Sequence, residues 1–242
     1  MNSQGKDRTK FVATMFSRIS KRYDLLNTLM TGGRHYSWRK KAIKMLNQNA
    51  SPHISLDIAT GTGDFALELL NTNNKNTVIG IDTSLNMMKI ARKKFNGKKL
   101  NNNLYFALSD AHNLPFPNDY FAYTTIGFGI RNFIDLKSAL KEVNRVLIPE
   151  GKLAILEIVK LDEGRFLSKI FPIYFGKVTP WLGSIFAGDR EAYSYLPQSV
   201  ENFISSQELT KTLNSVGFET IATKKIALGT VTIHIAKKTS SI

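Results

Sequence analysis

Apolar positions along the chain change period several times, and each change marks an element. Between Thr9 and Tyr23, Phe11, Met15, Ile19 and Tyr23 recur every fourth residue, with Val12 and Phe16 beside them. That spacing predicts an amphipathic helix, and its other face carries Lys10, Arg18, Lys21 and Arg22. Such a helix either caps its own domain or lies on a membrane surface. Tyr23 to Trp38 is polar, aromatic and glycine-containing, and reads as a connection into a second helix over Trp38–Leu46. Strand and helix patterns then alternate. Strands are expected at Ile54–Ile58, Thr77–Ile81, Asn103–Leu108, Phe121–Ile126 and Lys152–Ile158. Between them, helices are expected from Phe65 to Leu70, over Ser84–Phe95 and over Leu136–Leu147. This rhythm predicts an α/β fold on a parallel sheet with right-handed crossovers. A helix over Gln207–Val216 and two strands, Gly217–Lys225 and Thr230–Ala236, finish the chain. Those last strands are close enough in sequence to pair antiparallel.

One segment breaks the rhythm. Phe166–Gly188 holds Phe166, Phe171, Tyr174, Phe175, Trp181 and Phe186, punctuated by prolines and lysines. It has no apolar run long enough to span a bilayer. It reads either as a lid at the mouth of an apolar-substrate site or as a helical insertion packed on the sheet edge. The expectation is a single domain over 1–242, with an N-terminal helical cap over 1–50 and a lid or substrate insertion over about 160–205.

The chemistry concentrates where the first strand turns into a helix, at Ile54-Ser-Leu-Asp-Ile-Ala-Thr-Gly-Thr-Gly-Asp64. Gly61 and Gly63 allow a tight turn and close backbone approach to a ligand, and the helix start offers unpaired N–H groups. Gly61-Thr-Gly63-Asp-Phe-Ala66 satisfies the dinucleotide pattern G-x-G-x-x-G/A, with Asp82 at about the right distance for a ribose. No second mononucleotide half follows, however. Asp57, four residues ahead of the turn, suits a cationic ligand such as a sulfonium or α-ammonium group. The pattern therefore reads better as S-adenosylmethionine (AdoMet) than as NAD.

Composition narrows the picture further. There is no Cys, and His35, His53, His112 and His234 lack ligand spacing, so no metal site is expected. No secretory signal is apparent at the N-terminus, so a cytoplasmic location is expected, with peripheral contact to a membrane surface compatible with it. The net charge of +14 is compatible with nucleic acid, with an anionic membrane, or with a general bias on a solvated face. An RNA methyltransferase would interleave its basic residues with stacking aromatics around the cleft. Here the aromatics gather in an apolar insertion instead, so no nucleic acid is expected. An inactive lipid-binding or assembly subunit of the same fold is the remaining rival, and AdoMet binding separates it from an enzyme.

Several motifs beyond the turn resemble one family, the ubiquinone/menaquinone-biosynthesis C-methyltransferases, over nearly the whole chain. Tyr23-Asp24, Asn27 and His35-x-x-Trp38 resemble its N-terminal signature, and Asp57 to Asp64 its G-T-G-D turn. Leu114-Pro-Phe-Pro117, Phe128-Gly-Ile-Arg-Asn132, Arg145-Val-Leu147 with Gly151 and Glu157, and Tyr193-x-Tyr-Leu196 with Ser199 also fit. Departures include Leu26 where Met is usual, Thr31 for Ser, Ala122 for Asp, Gly127 for Ser in some relatives, Ile148-Pro149-Glu150 for Lys-Pro-Gly and Val159 for Ser. None removes a charged site residue, so an active enzyme is expected. The resemblance implies a class I AdoMet-dependent methyltransferase fold, Rossmann-like, with a seven-stranded sheet ending in an antiparallel hairpin. It implies cofactor contacts at Gly61, Thr62 and Gly63, at Asp82 for the ribose and at Asp110-Ala111 near adenine. It also implies a lipophilic quinol substrate methylated on ring carbon, and is compatible with a homodimer. A ring carbon attacks well only once a quinol hydroxyl is ionised, so Arg131 and Asn132 are candidates to stabilise the phenolate. Tyr23 and Tyr195 are candidates to hold the ring or relay the proton. The bland alternatives are Arg131 paired with Asp135 and tyrosines that merely close a lid.

Overall fold

The computed structural model describes residues 3–46, 51–73, 75–96, 103–161 and 190–239. The expected insertion at Phe166–Gly188 lies outside them. Seven strands form one sheet: β1 (Ile54–Ile58), β2 (Thr77–Asp82), β3 (Leu104–Leu108), β4 (Phe121–Gly127), β5 (Leu147–Ile158), β6 (Phe218–Ile226) and β7 (Val231–Lys238). Their order is β3-β2-β1-β4-β5-β7-β6. The first five pair in parallel, and β7 runs antiparallel to both β5 and β6. The order reverses between β1 and β4, which opens a crevice outside the carboxyl ends of the strands.

Helices cover both faces, as continuous apolar strands require. On one face α3 (Arg34–Leu46), α4 (Asp64–Leu70) and α5 (Leu85–Phe95) bury Ala42, Leu46, Phe65, Leu69, Met88 and Phe95 against Val78, Leu156 and Ile233. On the other, α6 (Leu136–Val146) and α8 (Ser206–Ser215) bury Leu140, Val143, Leu209 and Leu213 against Leu56, Ile81 and Ile155. Helix starts agree with their local chemistry. Ser84 caps α5, Asp135 caps α6, and Ser205 with Glu208 forms a reciprocal capping box at α8.

The N-terminal cap departs from expectation in one place. The amphipathic helix α1 (Ser3–Ile19) runs into a 3₁₀ turn at Ser20–Arg22, and Tyr23–Thr31 then forms a further helix, α2, rather than a connection. Gly32 and Gly33, at φ 57° and 74°, supply the left-handed turn into α3, which therefore starts at Arg34 instead of Trp38. Met15, Ile19 and Leu26 form a small third core beneath this cap. The fifth strand also starts earlier than its apolar run, at Leu147. A further helix, α7 (Arg190–Glu201), precedes α8.

Candidate active site

The turn after β1 holds its shape through backbone bonds. Thr60 N–H donates to Ile81 O at 2.9 Å, and Gly63 N–H to Thr60 O at 2.9 Å. Gly61 and Gly63 sit at φ 57° and 85°, where L side chains are strained. At Gly63 a Cβ would also fall 2.6 Å from Phe95 Cε2, whereas at Gly61 it would meet only Tyr23 Cε1, at 4.0 Å. Gly63 thus serves packing, and Gly61 leaves room in front of the turn. Ala59 and Phe128, both at the strand ends, also take positive φ, 54° and 57°.

Three acids surround this turn, each held differently. Asp57 is 1 % exposed and accepts hydrogen bonds from Thr60 Oγ1 and Thr125 Oγ1, both at 2.6 Å. Burial pushes its carboxyl up to about 6 despite those two donors. Asp82 ends β2, accepting from Gly61 N–H at 2.9 Å and Ser84 N–H at 2.8 Å. Burial raises it as well, and the backbone donors pull the other way. Asp110 accepts from His112 Nδ1 at 2.6 Å and from His112 N–H at 2.9 Å, which lowers its pKa. The other imidazole nitrogen, Nε2, accepts from Asp135 N–H at 3.2 Å, so Nδ1 carries the proton.

An open cleft of about 750 Å³ lies at these strand ends, lined by Gly61, Asp82, Asp110, Ala111, Phe128 and Asn132 among others. Asp57, Thr62 and Gly63 lie behind its wall. Thr62 Oγ1 donates to Asp24 Oδ1 at 2.6 Å, and Lys94 Nζ bridges Asp24 and Asp64, so the cap is tied to the turn. A second cavity of about 810 Å³ opens under the N-terminal helices and shares Phe16, Tyr23 and Phe128 with the first. Its walls carry His35, Trp38, Arg39, Arg131 and Tyr195.

Arg131 is buried in that second wall, fixed on three sides. Its Nη1 donates to Glu157 Oε1 at 2.6 Å and to Phe128 O at 2.7 Å, and its Nε to Ser199 Oγ at 3.1 Å. Glu157, wholly buried, also accepts from Ile158 N–H at 2.8 Å. The partner of Arg131 is therefore Glu157, not Asp135, which is engaged in capping α6. Tyr195 donates to Asn132 Oδ1 at 3.0 Å, bringing α7 onto the loop after β4. Burial holds the Tyr23 phenol above its ordinary pKa, partly countered by the Asn27 side chain and by the Arg39 and Arg131 charges. Tyr23 is thus a donor at neutral pH.

Of the predicted residues, Gly61, Asp82, Asp110, Ala111 and Asn132 meet in the cleft, Arg131 faces the second cavity, and Tyr23 lines both. Sequence reasoning gave no role to Arg39, His112 or the Asp24–Lys94–Asp64 cluster. Arg39 follows Trp38 and sits at helical spacing from His35, which was the available signal for it.

The model of the ubiE/COQ5 methyltransferase family matches residues 2–238. A ubiquinone/menaquinone biosynthesis C-methyltransferase from Rickettsia rickettsii is 40 % identical over 230 residues, covering 93 % of this chain and 91 % of its own. A demethylmenaquinone methyltransferase from Thermus thermophilus is 39 % identical over 224 residues, covering 93 % of this chain and 100 % of its own. Among solved structures, a SAM-dependent methyltransferase from Aquifex aeolicus superposes with a TM-score of 0.63 at 18 % identity, over 90 % of this chain and 98 % of that one. That likeness carries the fold alone.

Proposed function

Since the chain belongs to the ubiE/COQ5 methyltransferase family and is an AdoMet-dependent methyltransferase, we propose that it methylates a ring carbon of a polyprenylated quinol, first of all a demethylmenaquinol. The observation that carries this reading is the pair of adjoining cavities, one with an acid at its strand end and one with a buried arginine and tyrosine, sharing Phe16, Tyr23 and Phe128.

The strand-end cleft fits AdoMet. Asp82 spends one lone pair of each oxygen on the turn and keeps others for the two ribose hydroxyls. Gly61 leaves space in front of the backbone, and Asp110-Ala111 flanks the adenine side. Asp57 and Thr62 act from behind, holding the turn through Thr60, Thr125 and Asp24. When bound, AdoMet supplies a methyl group activated by its sulfonium. In the overall reaction a ring C–H becomes C–CH₃ and one proton is released. Arg131, with Nη2 free of hydrogen bonds among the described residues, donates to a ring oxygen. Asn132 and Tyr195 fix the loop that carries it, and Tyr23 closes the boundary between the cavities against water.

Membrane delivery of so apolar a substrate is supported by Phe11, Leu25, Leu29 and Tyr36, 39–52 % exposed on the N-terminal helices beside Lys21, Arg22 and Arg34. Among the described residues no helix is long and apolar enough to cross a membrane. Sedimentation with anionic vesicles should show salt-sensitive binding; none at low salt would remove this part of the reading.

The main test is label transfer from methyl-labelled AdoMet to a panel of reduced naphthoquinols, reduced benzoquinols, oxidised quinones and RNA. Label is expected on reduced quinol only. Arg131→Met should slow transfer by about a hundredfold to a thousandfold while AdoMet still binds. Equal transfer to oxidised quinone, whose ring has no hydroxyl to ionise, would overturn the reading.

A further inference from the structure

The second cavity contains two buried guanidinium groups in very different states. Arg131 is closed by the Glu157 carboxylate at 2.6 Å. Arg39, only 6 % exposed, has no carboxylate within ion-pair distance among the described residues. Its Nη1 donates to His35 Nδ1 at 2.6 Å and His35 O at 3.2 Å, and its guanidinium carbon lies 5.5 Å from the Phe128 ring centre. Nε and Nη2 make no hydrogen bond with the described residues, so three of its five N–H donors remain open.

His35 cannot neutralise it. Thr28 Oγ1 donates to Asp24 O at 2.8 Å and so receives a proton from His35 Nε2, 3.3 Å away, which leaves Nδ1 as an acceptor. The ring is neutral, and its pKa falls to about 4 through burial and the Arg39 charge. The other charged or titratable groups that feel Arg39 are Tyr23, Asp57 and Glu68, and none of them contacts it. Buried charges are normally paired, because an isolated one is expensive to desolvate. An unpaired cation kept on a cavity wall beside three aromatic residues, Tyr23, Trp38 and Phe128, is a site prepared for an anion carried by an aromatic ring.

We infer that Arg39 binds the ionised oxygen of the aromatic substrate and is a catalytic residue, with Arg131 acting beside it as a neutralised hydrogen-bond donor. The inference rests on the reading of this cavity as the quinol site. The two arginines then divide the work. The Arg131–Glu157 pair is neutral overall and orients a ring oxygen without favouring its ionisation. Arg39 brings uncompensated charge, so it favours phenolate over phenol and directs electron density into the ring carbon that attacks.

Binding of two naphthoquinones of similar shape tests this without any methyl transfer. One is 2-hydroxy-1,4-naphthoquinone, an anion at neutral pH; the other is the neutral 2-methyl-1,4-naphthoquinone. Titrated calorimetrically into the full chain, the anion should bind tighter by about tenfold or more. Arg39→Gln should erase that preference with AdoMet affinity unchanged, and Arg39→Lys should keep most of it. No anion preference in the parent, or an undiminished preference in Arg39→Gln, overturns the inference. If Arg39→Gln does not fold, loss of the preference in Arg39→Lys overturns it as well. The label-transfer assay is separate. A parent that methylates quinol but shows no anion preference sinks Arg39 alone, whereas one that prefers the anion through Arg39 but methylates no quinol sinks the substrate assignment alone.

Discussion

The two cavities meet at Tyr23 and Phe128 but are built by opposite means. In the strand-end cleft the acids are fixed largely by backbone N–H groups of the turns around them. Asp82 is held by backbone N–H groups of Gly61 and Ser84, and Asp110 by its neighbour His112. In the second cavity Arg131 and Tyr195 are fixed by side chains from distant segments: Arg131 by Glu157 and Ser199, and Tyr195 by Asn132. The cleft is a property of the sheet, shared by a fold that hosts many reactions. The cavity depends on the N-terminal helices as well as the sheet, because it forms where α2, α3, α7 and the loop after β4 converge. Ligand affinity should therefore be tuned residue by residue in the cleft, whereas in the cavity stability and chemistry are entangled.

The sharpest way to break that contrast is to neutralise Glu157. It is wholly buried, and burial raises its pKa even against the Arg131 charge. Glu157→Gln leaves Arg131 as a second unpaired buried cation beside Arg39. Removing one partner of a buried ion pair costs about 3–5 kcal/mol, so the urea midpoint should fall steeply. Arg39→Gln removes a cation that has no partner to orphan, and should cost far less. Equal losses in the two variants would show that the cavity does not distinguish a closed charge from an open one.

Each region also holds a buried group whose pKa is moved by two units or more, and their signs oppose. His35, under the cap, is 1 % exposed with a folded pKa of about 4 against the ordinary 6.5. Below pH 6.5 the unfolded chain takes up a proton that the folded chain refuses, so stability is lost as pH falls towards 4. Asp57, behind the turn, has a folded pKa of about 6 against 3.8. Its contribution is full below pH 3.8 and is lost as pH rises through 6. Shifts of 6.5 − 4 = 2.5 and 6 − 3.8 = 2.2 pH units correspond to about 3 kcal/mol each, so between pH 4 and 6 they largely cancel. Asp57→Asn should expose the histidine and make the protein more acid-labile than its parent by about that amount. His35→Gln should make it correspondingly more acid-resistant. Chemical denaturation of both variants and the parent at pH 4, 5, 6 and 7 reads the difference, and parallel curves would mean that neither group titrates as its burial dictates.

The same contrast explains what could be read from the sequence. The glycine turn and the cleft's acids, Asp82 and Asp110, sit at the ends of short strands, so spacing located them, although Phe16, Tyr23 and Phe128 also line the cleft. The sheet followed from the same alternation. The cavity depends on pairings across 26, 63 and 68 residues, Arg131 with Glu157, Tyr195 with Asn132 and Arg131 with Ser199. No local pattern announces these. Asp135 was the nearer acid for Arg131, and its position at the start of α6 commits it to Ser138 N–H instead. Helix α2 was missed for a related reason. Nine residues with two buried or half-buried apolar anchors, Leu26 and Met30, followed by Gly32-Gly33, look like a connection until α1 and α7 cover them.

The mildest perturbation belongs to the cleft. Asp82→Ala removes a carboxylate whose own contacts are backbone N–H groups, of Gly61, Thr83 and Ser84, the first two on the cleft wall. Water replaces the lost acceptor there, so the fold should survive and the pH 7 unfolding midpoint should barely move. What the variant loses is the acceptor for two ribose hydroxyls. Charge-assisted hydrogen bonds contribute about 1.5–3 kcal/mol each, and solvent access at the cleft mouth argues for the lower end. AdoMet affinity should drop about tenfold or somewhat more by calorimetry, with the naphthoquinone anion bound as before, because Asp82 does not line the second cavity. Loss of both ligands together would mean that the turn carries the cap with it through Thr62, Asp24 and Lys94. The two cavities would then be a single cooperative site. Unchanged AdoMet affinity would place the ribose elsewhere in the cleft.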